Sequence, residues 1–202
     1  MIYRTHINNL TLKAIVFDLN GTIASRLSIN SYHKDFLKYY VTGTVSTQIE
    51  NSPLRSTRKI IESLQLDYSE YSTYRDKYLD YGAIYQPDKE ITSTLDRLLS
   101  AGYGLALYTN CTQTQTDKTL KELSLDDKFE FYLTIKDAYR KPNTNGIIRI
   151  CEHFDIKPEN LISIGNDYEK DLEPIEKLGG NSILIESERD LKEACEIIMA
   201  SG

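Results

Sequence analysis

The 202-residue sequence predicts an α/β fold, a Rossmann-like parallel sheet with helices on both faces plus a small helical domain. Three observations predict it. Residues 14–17, 105–108, 161–164 and 182–185 form short, nearly continuous apolar runs, as strands buried on both faces require. Segments with helical spacing lie between and after these runs, and such alternation makes a parallel sheet covered on both sides. Residues 26–86 break the alternation with helical patterns and no convincing strand. They read as an insertion that divides the core domain into residues 1–25 and 87–202.

In chain order, residues 1–12 are polar and are assigned no strand. The run at 14–17 is the first strand and ends at Asp18. Residues 32–40, 57–66 and 70–81 carry helical patterns within the insertion. Tyr71, Tyr74, Tyr78, Tyr81 and Tyr85 recur every three or four residues, so a helix through them presents one tyrosine stripe. That stripe either packs against neighbouring helices or contacts a substrate, and the spacing does not choose. Helical segments at 90–100, 115–123, 147–154, 172–178 and 191–199 then separate the remaining strands, with a further short strand at 131–135. Gly102 and Gly179-Gly180 follow helical patterns where a left-handed C-terminal residue is needed.

Composition narrows the function. A formal charge of −6 with no basic block argues against a nucleic-acid partner, because phosphate-binding surfaces cluster lysine and arginine. No apolar run is long enough to span a bilayer, and the polar start does not resemble a secretion signal. A membrane partner is not expected, and the cytoplasm is the expected compartment. Cys111, Cys151 and Cys195 are too widely spaced for a disulfide framework or a zinc site and are read as reduced thiols. His6, His33 and His153 neighbour no motif, and Arg26, Arg55 and Arg58 are read as solvated.

Ligands in open parallel sheets bind outside the carboxyl ends of the strands. Those ends are polar here: Asp18-Leu19-Asn20-Gly21-Thr22 after the first strand, Thr109-Asn110 after the second, Gly165-Asn166-Asp167 with Asp171 after the fourth. Arg140-Lys141-Pro142 stands before the helix at 147–154. Two or three carboxylates suit Mg²⁺, which commonly shares a phosphate with its protein. Asp18 is the candidate nucleophile. Lys141 supplies positive charge that keeps the carboxylate ionised and stabilises a transferring phosphoryl group. Thr109 and Asn110 are expected to bind its oxygens.

These segments resemble the four motifs of the haloacid dehalogenase superfamily: Asp18 to Thr22 the first, Thr109-Asn110 the second, Lys141 the third, and Gly165 to Asp171 the acidic fourth. The resemblance covers nearly the whole chain and is similar to the phosphatase branch. It implies a Rossmann-like core, residues 26–86 as a helical cap of the C1 type, and a Mg²⁺ ion. It also implies attack by Asp18 on a small phosphorylated metabolite through an aspartyl-phosphate. The metal set it implies is Asp18, the Asn20 carbonyl and Asp167, with Asp171 nearby either completing the site or orienting Lys141. Two departures stand out. The family has an aspartate where this chain has Asn20, and that residue protonates the leaving group, a contribution of about 10²–10⁴-fold. The usual Gly-Asp start of the fourth motif is here Gly165-Asn166, with Asp167 expected to face the metal instead. A phosphotransferase or mutase, or a catalytically impaired phosphate-binding or partner-binding protein, are the alternatives.

Overall fold

A computed structural model describes residues 2–7, 11–41, 56–137 and 139–201; Arg55, with the rest of 42–55, lies outside them. The chain divides into two compact units, Met1–Ser25 with Pro87–Gly202, and Arg26–Gln86.

The first unit is built on a six-stranded sheet: β1 (Ile2–His6), β2 (Ala14–Phe17), β3 (Gly104–Tyr108), β4 (Phe131–Leu133), β5 (Leu161–Gly165) and β6 (Asn181–Ile185), in the order β1-β6-β5-β2-β3-β4. All pairings are parallel except β1 with β6. The α/β class is as the apolar runs predict, but the sheet is mixed. The strand that makes it so, β1, lay in a segment read as polar. An edge strand pairs on one side only, so it needs no continuous apolar run. It is tied down by Arg4, whose guanidinium pairs with Glu176 at 2.9 Å and lies over the Tyr168 ring.

β2 occupies the middle of the sheet, with Ala14, Ile15, Val16 and Phe17 each no more than 1% exposed. Burial on both faces is why this run alternates so little. The helices described in this unit are α4 (Lys89–Ser100), α5 (Gln113–Glu122), α6 (Thr144–Phe154), α7 (Glu173–Glu176) and α8 (Leu191–Ser201), numbered after the three described in the second unit. Asp88 opens α4 by accepting from the Glu90 and Ile91 N–H groups, and Thr112 opens α5 by accepting from Gln115. Gly102 and Gly179 have positive φ, as helix ends need. On one side of the sheet, Ala14, Val16, Ala106, Tyr108 and Leu161 pack against Ile147, Ile150 and Ile175.

The single helix expected at 172–178 is instead a π-helical turn, Tyr168–Leu172, followed by the short α7. The wide turn accommodates a buried Asp171 that reaches back to the end of β5, as described below.

The second unit contains α1 (Ser31–Tyr40), α2 (Thr57–Ser63) and α3 (Tyr68–Tyr78). Its core gathers Leu37, Ile60, Ile61 and Tyr71. The tyrosine stripe is largely a packing device. Tyr71 is fully buried and meets Tyr40 and Tyr68 edge-on or tilted, Tyr74 packs against Phe36 and Tyr40, and α3 ends before Tyr81 and Tyr85. His33 joins three elements. One ring nitrogen lies 2.9 Å from the Leu27 carbonyl and the other 2.5 Å from the Tyr71 hydroxyl. Among the described residues, no helix is long and apolar enough to cross a membrane.

Candidate active site

Three neighbouring strands end level. Phe17 of β2 pairs with Leu107 of β3 on one side and Ile164 of β5 on the other. Asp18, Thr109 and Gly165 to Asp167 therefore leave the sheet along one edge, where an open parallel sheet offers its crevice. The Asp18 N–H donates to the Ile164 carbonyl at 3.0 Å and the Thr109 N–H to the Leu133 carbonyl at 2.9 Å. These bonds carry the ladder past the strand ends and fix both backbones.

Lys141 is the centre of the site. Its Nζ donates to Asp18 Oδ1 and to Asp171 Oδ1, both at 2.6 Å. The lysine and Asp171 side chains are each 4% exposed and that of Asp18 13%. Burial alone would lower the pKa of the ammonium, but the two carboxylates outweigh it and hold Lys141 well above the ordinary lysine range. Burial pushes Asp171 up to about 6, reinforced by the Asp18 charge and opposed by Lys141. The other oxygen of Asp171 accepts the N–H groups of Asn166 at 3.2 Å and Asp167 at 3.1 Å. Asp171 thus orients Lys141 and the loop after β5, and both its oxygens are engaged. This arrangement demands a glycine before Asn166, since a Cβ on Gly165 would sit 2.3 Å from the Asp171 Cβ.

The fourth loop differs from the sequence expectation. The Asp167 carboxylate, expected to face a metal, turns to its own helical turn, accepting from the Lys170 N–H at 3.2 Å and pairing with the Lys170 ammonium. Lysine attraction outweighs partial burial and lowers its pKa. An aspartate at the start of a helical turn satisfies free N–H groups in this way. Asn166 is the residue that approaches the first loop. Its Nδ2 donates to the Asn20 carbonyl at 2.8 Å. The only cue to this in the sequence was the Gly165-Asn166 pair itself.

Asn20 donates from Nδ2 to Cys111 Sγ at 2.7 Å, and its Oδ1 is buried without a hydrogen-bond partner among the described residues. Thr109 is buried, and its Oγ1 accepts the Cys111 N–H at 3.2 Å. Asn110, expected to bind phosphoryl oxygens, has both side-chain heteroatoms on the main chain of Lys141: Oδ1 accepts the Lys141 N–H at 2.8 Å and Nδ2 donates to the Lys141 carbonyl at 3.2 Å.

A divalent cation can be tested against these oxygens. Among the described residues no three His, Cys, Asp or Glu side chains gather as ligands. Of Asp18, Asp167 and Asp171, Asp18 is the one whose carboxylate is not bonded within its own loop. The Asn166 amide lies 2.8 Å from the Asn20 carbonyl oxygen, and the two ends of an amide exchange by a flip. Flipped, it would place a side-chain oxygen beside the Asn20 carbonyl oxygen, and hard oxygen donors of this kind suit Mg²⁺. Two neutral oxygens and one carboxylate fit a cation shared with a phosphate rather than a closed protein cage.

The model of the haloacid dehalogenase-like hydrolase family matches residues 15–185. Among curated proteins, the chain is similar to a phosphoglycolate phosphatase of Aquifex aeolicus, 25% identical over 190 residues, 86% of this chain and 84% of that one. It is also similar to the pyrophosphatase PpaX of Anoxybacillus flavithermus, 24% identical over 166 residues, 79% and 77% of the two chains. Among solved structures, a hydrolase of the same superfamily from Geobacter sulfurreducens superposes with a TM-score of 0.63 at 17% identity, covering 94% of this chain and 98% of its own. A phosphatase from Thermococcus onnurineus gives 0.58 at 19%, covering 91% and 97%.

Proposed function

Since the chain belongs to the haloacid dehalogenase-like hydrolases, we propose that it is a phosphatase of small phosphorylated molecules, with Asp18 as nucleophile. One observation carries this reading: Lys141 bridges Asp18 and Asp171 at 2.6 Å in a buried setting. Oδ1 of Asp18 is held by the lysine, which leaves Oδ2 for attack on phosphorus; the bond from phosphorus to the leaving-group oxygen breaks as the aspartyl-phosphate forms, and water then cleaves that intermediate to release phosphate and restore Asp18. Lys141 stabilises the charge that develops on the phosphoryl oxygens. The Thr109 hydroxyl, whose oxygen already accepts a backbone N–H, donates its proton to one of them. Thr109 and Lys141 are thus the substrate-binding side chains, and residues 26–86 take the role of a substrate-selecting cap.

Charge balance supports a cation. Two carboxylates and one ammonium leave the buried triad at about −1, which repels an incoming phosphate dianion. Mg²⁺, held by Asp18, the Asn20 carbonyl and the side-chain oxygen of Asn166 in place of Asp167, would neutralise the phosphate when bound. Cys111, Cys151 and Cys195 are buried and none of them is in a disulfide; a cytoplasmic setting is part of the same proposal.

Asn20 sets the substrate preference. An amide whose Nδ2 is occupied by Cys111 cannot supply a proton to a departing alkoxide. Phosphoryl groups on good leaving groups, acyl phosphates and phosphoanhydrides, need little protonation and are the favoured substrates. The test compares hydrolysis of acetyl phosphate and of an alkyl phosphate such as glycerol phosphate by the native chain, Asn20→Asp and Asp18→Ala. Asn20→Asp is expected to raise turnover of the alkyl ester by about 10²-fold or more, with a much smaller effect on acetyl phosphate. Undiminished activity of Asp18→Ala would overturn the mechanism. Mg²⁺ binding without turnover in both the native chain and Asn20→Asp would instead favour a protein that only binds phosphate.

A further inference from the structure

We propose that Asn110 and Tyr108 are positioning residues for Lys141, so that the end of β3 is a seat for the lysine and Asn110 acts through it rather than as a ligand of the substrate. Lysine is a point charge on a flexible stem with several rotatable bonds. A buried lysine can bridge two carboxylates only if the root of that stem is fixed. Asn110 fixes it with two bonds to one residue, accepting the Lys141 N–H at 2.8 Å and donating to the Lys141 carbonyl at 3.2 Å. Both backbone torsions of Lys141 are thereby held, although 31 residues separate the two in sequence.

Tyr108 holds the other side of the same segment. Its hydroxyl donates to the Asn143 carbonyl at 2.8 Å, and the Lys141 Nζ lies 5.5 Å from the centre of its ring. Three residues further on, the ring packs so closely on Gly146 that a Cβ there would lie 2.3 Å from the tyrosine ring. Residues 141, 143 and 146 are thus each engaged by β3 or the residue pair that follows it. Burial pushes the Tyr108 hydroxyl up to about 12 against the pull of Lys141, so it stays a neutral donor to the Asn143 carbonyl. Thr109, between the two, is left to face the reacting group.

The test has two arms. In the first, the intact protein is acetylated with limiting acetic anhydride and each lysine is read by mass spectrometry. Lys141 is expected to react at least about tenfold more slowly than the exposed Lys157, because a buried, doubly paired ammonium must open before it reacts. Asn110→Ala is expected to raise Lys141 labelling about tenfold, and Tyr108→Phe, which keeps the ring and loses the Asn143 bond, by less. Unchanged labelling in either variant removes that residue from the seat. If Asn110→Ala does not fold by circular dichroism, Asn110→Asp, which keeps the acceptor and loses the donor, is judged by the same criterion.

The second arm rests on the phosphatase reading. With acetyl phosphate, Asn110→Ala is expected to lower kcat about 10- to 100-fold with little change in KM. In a Lys141→Ala background the same substitution should cost almost nothing more. A raised KM at unchanged kcat, or an equal loss in both backgrounds, would make Asn110 a substrate ligand and overturn the proposal. A native chain without turnover would count against the phosphatase reading alone, with the labelling arm still deciding the seat.

Discussion

Gly165 illustrates how much of the site depends on single atoms. Its missing Cβ leaves room for the Asp171 side chain, whose Cβ, Cγ and Oδ2 would otherwise lie 2.3–2.7 Å from it. Of these, Cβ is rooted in the backbone and cannot swing away. Gly165→Ala is therefore expected to cost about 1–3 kcal/mol of stability by overpacking, read as a lower denaturant midpoint at unchanged m. It should also displace Asp171 from Lys141 and lower kcat more than it raises KM. A variant with native stability and native kinetics would show that Asp171 is not held there. At this scale the sequence was informative about residue type and less so about direction. Asp18, Lys141 and Asp171, named from the motif order, lie in contact in the structure. Asp167 turns away from the orientation expected of it, because an aspartate that begins a helical turn finds N–H groups of its own nearby, and Asn166 approaches the first loop instead.

Elements are held together here by polar groups whose partners are distant in sequence. In the second unit, His33 on α1 links the Leu27 carbonyl to Tyr71 on α3. Burial, aided by repulsion from Arg75 and opposed by the Leu27 contact, lowers its pKa from the ordinary 6.5 to about 4. The imidazole is neutral in the folded state and charges more readily when unfolded. Its contribution is therefore fully present above about pH 6.5 and lost as the pH falls toward 4. The difference is worth about 3 kcal/mol at roughly 1.4 kcal/mol per pH unit. The chain has no tryptophan and nine of its fifteen tyrosines fall in residues 26–86, so near-ultraviolet circular dichroism reports mainly on this unit. Stability measured that way should fall more steeply between pH 7 and pH 4.5 in the native chain than in His33→Gln; parallel falls would sink this account. No local pattern announces such a histidine, since its partners lie 6 and 38 residues away. The same limit applies to β1, which pairs across most of the chain with β6.

For the whole molecule, the proposed shared site for Mg²⁺ and phosphate predicts coupled binding, because the buried Lys141–Asp18–Asp171 triad carries about −1. Each lowers the electrostatic cost of binding the other, and anything that binds the folded state alone stabilises it by mass action. Mg²⁺ together with orthovanadate or inorganic phosphate should raise the melting temperature by more than the sum of their separate effects. Asn166→Asp, which restores a carboxylate beside the Asn20 carbonyl, should increase the shift from Mg²⁺ alone. Strictly additive shifts would mean that the two ligands do not share the site. Dialysis against a chelator should abolish the joint effect without unfolding the protein, since the core is held by its own apolar strands.

The sequence by itself determined the α/β class, the parallel strands at its core and the residue types at the strand ends. These follow from local properties: runs buried on both faces, helical periodicity, and residue types at strand boundaries. Only the tertiary structure decided that an antiparallel β1 completes the sheet, that a π-helical turn carries Asp171 back beneath Lys141, and that Asn110 grips the lysine instead of standing free. Those features depend on hydrogen bonds and close contacts between residues far apart in the chain, and such partners are specified only when the strands have assembled.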